Sequence, residues 1–192
     1  MHDDLQHILV SREQIAARVR ELGVRIAKDL DSALASGEGK VVLIPIMTGA
    51  LVFAADLIRE LPLKLRLGLV AVSSYPGTSM TSKGARLESE LPHDLAGAHV
   101  LVVDDILDSG QTLAMVREII QAQNPASLRV CVLLKKPRTA RKRDVEVEYV
   151  GFEIPDEFVV GYGLDFDGHY RNLPDIATLR PDVAHAARPR TP

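Results

Sequence analysis

The densest chemistry in the chain lies in Leu101-Val102-Val103-Asp104-Asp105-Ile106-Leu107-Asp108-Ser109-Gly110-Gln111-Thr112-Leu113. An apolar run delivers two adjacent carboxylates at its carboxyl end, and a turn carrying a small hydroxyl residue and a glycine then opens a helix. In a parallel sheet, ligands bind outside the carboxyl ends of the strands. The start of a helix offers N–H groups without partners and a partial positive charge, which together suit a phosphate. Gly110 lets the backbone come close, and Ser109 and Thr112 add hydroxyl donors. Two carboxylates beside a phosphate would repel it unless they hold something else; ribose hydroxyls and a magnesium ion are the natural candidates. A plainer alternative has Asp108 or Ser109 capping the helix while Asp104 and Asp105 face water. Two acids closing an apolar strand, ahead of a hydroxyl-Gly-x-hydroxyl turn, weigh against it.

The elements that must position these residues follow from periodicity. Ser11 and Gln14 form a helix-start pair, and Ile15, Val19, Leu22, Ile26 and Leu30 recur on one helical face. Val41 to Met47 is an almost unbroken apolar run, as in a strand buried on both sides. Ala50 to Leu61 returns to helical spacing. Leu65 to Val72, Val100 to Val103, Leu128 to Leu134 and Val145 to Phe152 read as further strands, with a helix over Leu113 to Gln121. Strands alternating with helices predict an α/β fold with a mostly parallel central sheet flanked by helices. Ser73 to Lys83, rich in Ser, Thr, Gly and Pro, reads as a loop, and the segment after Arg180 as a poorly ordered tail.

The chain has 192 residues, enough for one domain, expected over 1–180. Its 23 basic and 26 acidic residues leave a net charge of −3, which gives no general pull toward nucleic acid or an anionic membrane. The Arg138 to Arg143 stretch is basic, and a solvated turn is its plain reading. Cys131, the one cysteine, lies in an apolar run and reads as a buried, inert thiol. No apolar run approaches membrane-spanning length, and a cytoplasmic location is the expectation.

The acidic segment resembles the phosphoribosyl-pyrophosphate motif of type I phosphoribosyltransferases: four apolar residues, two acids, then a turn of the Asp-Ser-Gly-x-Thr kind. That motif does not choose the base. Tyr149-Val150-Gly151-Phe152-Glu153-Ile154-Pro155-Asp156-Glu157-Phe158-Val159-Val160-Gly161-Tyr162-Gly163-Leu164-Asp165 is similar to a signature of the hypoxanthine-guanine phosphoribosyltransferases, and Tyr170-Arg171-Asn172-Leu173-Pro174 continues it. Gly49 through Leu57 with Phe53 and Asp56, Ser73-Ser74-Tyr75, and Leu133-Leu134-Lys135-Lys136-Pro137 match as well. The likeness runs from about Ser11 to Leu179.

The resemblance implies a type I phosphoribosyltransferase fold with a small hood made by roughly 1–12 and 150–180. It also implies transfer of the phosphoribosyl group to a free 6-oxopurine, in a homodimer or homotetramer. Asp104 and Asp105 would hold the ribose hydroxyls, partly through Mg2+, and Asp165 would bind a second Mg2+. Asp108 would act as proton acceptor near N7 of the purine. Ser109, Gly110, Gln111 and Thr112 would wrap the 5′-phosphate, and Thr48, Gly49 and Arg171 would meet pyrophosphate. Lys136 would donate to O6, Phe158 and Ile106 would sandwich the base, and the Val159 backbone would meet its Watson–Crick edge. Ser73 to Leu87, with Ser74 and Tyr75, would form a lid.

These roles suit the residue types. An ammonium donates to a carbonyl oxygen but would leave adenine's amino group unpaired, a mismatch worth roughly four orders of magnitude in discrimination. An aromatic face suits a flat heterocycle, and arginine suits phosphate oxygens. Against them stand a solvent-exposed Lys136, a Phe158 buried as ordinary core, and an Arg171 paired with a carboxylate. The chain departs from many members of the family in carrying Asp104 for Glu and Ser109 for Thr. Met47-Thr48-Gly49 stands where several members have a lysine and a non-proline cis peptide. A xanthine-preferring transferase and a non-catalytic nucleic-acid-binding regulator on the same fold are the alternatives. The Arg138 to Arg143 cluster is the regulator's only support.

Overall fold

The computed structural model describes residues 2–34, 39–73, 86–87, 92, 94–140 and 142–186. Strand β1 (Leu5–Val10) leads into helix α1 (Arg12–Leu34). Here Ser11 N–H donates to Gln14 Oε1 at 2.8 Å and Gln14 N–H to Ser11 Oγ at 3.4 Å, a reciprocal cap. The expected stripe of Ile15, Val19, Leu22, Ile26 and Leu30 is buried. Strand β2 (Val41–Met47) has the predicted bounds and is followed by helix α2 (Leu51–Leu57), prolonged by a 3₁₀ turn to Glu60.

The strand expected over Leu65 to Val72 is two: β3 (Leu65–Leu67) and β4 (Val70–Ser73). Both lie parallel to β2, β3 along its start (Val41↔Leu65) and β4 at its end (Ile46↔Val70). Gly68 N–H donates to Leu43 O at 2.9 Å between them, and a Cβ at Gly68 would stand 2.4 Å from Pro92. The register is the same on either side of the gap, and the ladder is interrupted where Pro45 of β2 has no N–H to donate. Strand β5 (Arg86–Leu87) runs antiparallel to β4. Next come β6 (His99–Leu107), α3 (Gln111–Gln121), β7 (Ser127–Lys135) and β8 (Tyr149–Glu153). Strand β8 starts later than Val145; Val145 and Val147 instead pack against the core from the connection.

The main sheet runs β5-β4-β2-β6-β7-β8 with β3 also on β2, and all pairs but β4–β5 are parallel. Alternation divides its apolar residues between two faces. Leu43, Leu101, Val103, Cys131 and Leu133 face α1 and α2, while Ile44, Val102, Val130 and Val132 face Val116 and Ile120 of α3. This is the expected mostly parallel, helix-flanked sheet. Cys131 is fully buried, and burial pushes its thiol up, consistent with an inert side chain.

A second, antiparallel sheet of order β1-β10-β9 joins β1 to β9 (Val159–Val160) and β10 (Ile176–Leu179). Beyond Arg180, where irregular chain was expected, helix α4 (Pro181–Ala186) follows. Proline suits a first helical turn, Asp182 favours its positive end, and Arg180 pairs with Asp182 at 3.0 Å. The 187–192 end and the expected lid residues Ser74 and Tyr75 lie outside the described residues. Among the described residues no helix is long and apolar enough to cross a membrane. Arg138 and Arg143 of the basic stretch form ion pairs with Asp144 and Glu118 respectively.

Candidate active site

The geometry begins where the main sheet loses a strand pair. The register of β2 against β6 ends at Pro45↔Val103, whereas β6 and β7 stay paired through Leu107↔Lys135. β6 therefore extends past its neighbour, carrying Asp104 and Asp105 beyond the Val103 end expected for it, into a notch above Met47-Thr48-Gly49. The Met47–Thr48 peptide bond is cis. The Asp105 carboxylate sits over Gly49 so closely that a Cβ there would stand 1.9 Å from Asp105 Oδ2. Gly163 in turn packs on Gly49: its φ is +103, and its Cβ would stand 2.2 Å from Gly49 O.

Asp104 does not face water; it is 6% exposed. Burial, then the adjacent Asp105 charge, holds its carboxyl well above the ordinary range. Burial also raises Asp105, against the pull of local hydrogen bonds and of Arg171. The internal bonds are few: Asp105 N–H donates to Asp104 Oδ1 at 3.1 Å, and Ile106 N–H to Asp105 Oδ1 at 2.8 Å. A buried acid beside a half-buried one is a costly arrangement without a hydroxyl donor or cation to share.

The turn after β6 is shaped from outside. Gly110 has a φ of +77 and forms the N-cap of α3, and a Cβ there would strike Arg143 O at 2.2 Å. Ser109 O accepts the N–H groups of Lys142 and Arg143 at 2.9 and 3.1 Å, which ties the turn to the chain before β8. The Gly110 cap makes no side-chain hydrogen bond. Gln111 N–H reaches Ser109 Oγ only at 3.4 Å. Thus neither Asp108 nor Ser109 is spent on a strong cap, and the positive end of α3 opens on a cavity of about 290 Å³. Asp104, Asp105, Asp108, Ser109, Gly110, Thr112, Gly49 and Ile106 line it.

A second cavity, about 180 Å³, shares Asp105, Ile106 and Asp108 with the first. Its other walls are Lys136, Glu157, Phe158, Val159, Leu164 and Asp165. Lys136 is no surface lysine: its side chain is 10% exposed, and Nζ lies 3.0 Å from Asp156 and 3.3 Å from Asp108. Phe158 is no core residue: it is 53% exposed, its ring set edge-on to Phe166 at 5.4 Å and 77°. That contact holds a flat apolar surface at the cavity wall. Arg171 is paired, with Asp165 at 2.7 Å, and donates to Gly163 O at 2.6 Å. Tyr162 OH donates to Asp56 at 2.6 Å behind the Gly163 contact, and burial ahead of the Asp56 charge raises its phenol.

The structure therefore brings Asp104, Asp105, Ile106, Asp108, Ser109, Gly110, Thr112, Gly49, Lys136, Phe158, Val159 and Asp165 around two joined cavities. Thr48, Gln111 and Arg171 stand next to them but not in their walls. Sequence reasoning missed Glu157, Leu164 and Asp156. Glu157 and Leu164 flank residues already singled out, so proximity in the chain was an available signal.

A phosphoribosyl transferase domain model matches residues 11–167. The chain is 43% identical over 180 residues to the hypoxanthine-guanine phosphoribosyltransferase of Mycobacterium tuberculosis, covering 94% of this chain and 89% of that one. It is 42% identical over 167 residues to the hypoxanthine phosphoribosyltransferase of Haemophilus influenzae, covering 86% and 90%. Among solved structures, a Staphylococcus aureus hypoxanthine phosphoribosyltransferase superposes with a TM-score of 0.85 at 39% identity, covering 95% of this chain and 96% of that one. A Trypanosoma cruzi hypoxanthine phosphoribosyltransferase variant complexed with the product IMP gives 0.87 at 36% identity, covering 100% and 99%. Fold and site thus define a type I phosphoribosyltransferase. Within that class, the chain belongs to the hypoxanthine-guanine phosphoribosyltransferase family of purine salvage.

Proposed function

We propose that the chain transfers the 5-phosphoribosyl group of phosphoribosyl pyrophosphate to N9 of hypoxanthine and/or guanine, giving IMP or GMP and pyrophosphate. The observation that carries this reading is the join between the two cavities. One side offers a helix N-terminus with hydroxyls, the other an ammonium with an aromatic face, and Asp105, Ile106 and Asp108 are common to both. Sugar C1 at that seam faces the base on one side and the leaving pyrophosphate on the other.

The Ser109 to Thr112 turn grips the 5′-phosphate with its N–H groups and hydroxyls. Asp104 and Asp105 accept from the ribose hydroxyls, which relieves their mutual repulsion. Phe158 and Ile106 clamp the base, the Val159 backbone reads its Watson–Crick edge, and Lys136 donates to O6. The C1–O bond breaks with its electron pair leaving on pyrophosphate, N9 forms the new bond to C1, and Asp108 accepts the ring proton near N7. Arg171, with Thr48 and Gly49, holds pyrophosphate. Much of the acceleration then comes from positioning and fixed charge.

The donors suit Mg2+, which is commonly held by one or two carboxylates plus substrate phosphates: Asp104 and Asp105 would supply hard oxygen ligands to one ion and Asp165 to a second. Such ions would neutralise charge developing on pyrophosphate. We place the enzyme in the cytoplasm as a homodimer or homotetramer; exposed Val24, Leu51, Leu67 and Leu69 supply apolar contact surface. Ser74 and Tyr75 belong to a lid in this scheme, and trimming Pro76 to Lys83 should lower turnover.

The test offers hypoxanthine, guanine, xanthine, adenine and uracil with phosphoribosyl pyrophosphate, with and without Mg2+. Hypoxanthine or guanine should be used best, and only with the metal. Adenine or uracil as best substrate would defeat the reading.

A further inference from the structure

Lys136 is held between two carboxylates, and only one of them has a place in the chemistry above. Its position is fixed first through the backbone, since Lys136 N–H donates to Leu107 O at 3.0 Å. On the β6 side, Asp108 Oδ2 lies 3.3 Å from Nζ; on the β8 side, Asp156 Oδ1 lies 3.0 Å away. The chain after β8 is set for this. Ile154 N–H donates to Lys135 O at 3.0 Å, continuing the parallel pairing one step beyond β8. Pro155 follows with its fixed φ, and Glu157 N–H donates to Pro155 O at 2.9 Å, a tight turn that brings Asp156 over the ammonium. Two residues on stands Phe158, the aromatic face of the base cavity.

A lysine ammonium is a compact charge on a flexible four-carbon stem, so its aim depends on what anchors it. Asp108 is a poor anchor during the reaction, because the same carboxylate must turn to the base and take up a proton. Once neutral, it no longer attracts the ammonium. We propose that Asp156 is a positioning residue. It holds Lys136 Nζ where O6 arrives while Asp108 is engaged with the ring proton, and it acts on the substrate only through Lys136. The inference rests on the reading of this cavity as a 6-oxopurine site. Three ammonium protons suffice: one for Asp156, one for O6 and one for Asp108 or water.

The test compares wild type with Asp156→Asn and Asp156→Glu, measuring turnover of hypoxanthine and inhibition by unsubstituted purine, which has no oxygen at C6. Asp156→Asn should raise KM for hypoxanthine about tenfold, or about 1.4 kcal/mol, with a smaller fall in kcat. KM for phosphoribosyl pyrophosphate and the inhibition constant of purine should stay within about twofold, and Asp156→Glu should recover most of the loss. An unchanged hypoxanthine KM in Asp156→Asn would overturn the role. So would a parallel weakening of purine binding, because that marks general damage to the cavity rather than a misaimed ammonium. If wild-type enzyme fails on hypoxanthine altogether, the purine reading itself falls, and the role of Asp156 with it.

Discussion

Replacing Gly49 with alanine adds one methyl group directly beneath Asp105. The new Cβ would lie 1.9 Å from Oδ2, 2.6 Å from Cγ and 3.1 Å from Oδ1, whereas real Cβ contacts stay beyond 3.0 Å. The carboxylate must therefore retreat by about 1 Å, a displacement of the size that can cost about a hundredfold in rate when it falls on a reacting geometry. A hundredfold corresponds to about 2.7 kcal/mol of transition-state stabilisation. The loss should fall on kcat/KM for phosphoribosyl pyrophosphate, because Asp105 is assigned to the ribose. The inhibition constant of a free purine should move little. Folding should survive, since Asp105 lines an open cavity into which it can turn. Steady-state kinetics with varied phosphoribosyl pyrophosphate, alongside a thermal melt, read both quantities. If kcat/KM stays within about threefold of wild type, Asp105 does not have to stand where this account puts it.

Other perturbations separate the remaining roles. Asp108→Asn should lower kcat by about 10²–10⁴-fold, the range of a lost general base, while binding of phosphoribosyl pyrophosphate persists; single-turnover kinetics with a binding titration tests this. Lys136→Met should weaken hypoxanthine use far more than adenine use, narrowing the preference by at least about tenfold; a competition assay reads the ratio. Asp104→Asn should inactivate the enzyme yet stabilise it near neutral pH. Burial and the Asp105 charge raise the Asp104 carboxyl, so folding favours its neutral form. The wild type keeps that advantage below the ordinary value of 3.8 and loses it as pH rises through the higher folded-state value. The melting difference should thus be present at neutral pH, at roughly 2–4 °C per kcal/mol recovered, and shrink toward 3.8; melts across pH will show its sign.

Much of this was legible because burial writes itself into apolar periodicity. The stripe on α1 and the run of β2 each bury a continuous surface, and the acidic step after Val103 is abrupt. The second sheet left little trace: β1 buries only Val10 fully, β9 has two residues, and β10 four. Pattern needs length and a buried face: β1 leaves its middle residues exposed, and β9 and β10 are too short to carry one. The split between β3 and β4 was hidden in Leu65 to Val72 because it is set by Pro45 of the neighbouring strand, which lacks the N–H that would continue the ladder. Asp105 over Gly49, and Asp156 on Lys136, are likewise meetings of distant segments. Residue type announced that chemistry was present at Asp104 to Thr112, but only the β6–β7 register beyond Val103 shows why the acids reach the notch.

The most direct measurement is a crystal structure of this enzyme with IMP and Mg2+. The purine should lie between Phe158 and Ile106, with O6 within hydrogen-bonding distance of Lys136 Nζ and the 5′-phosphate seated on Ser109 to Thr112. A nucleotide bound with its base away from Lys136 and Phe158 would contradict the joined-cavity account, even if its phosphate occupied the expected turn.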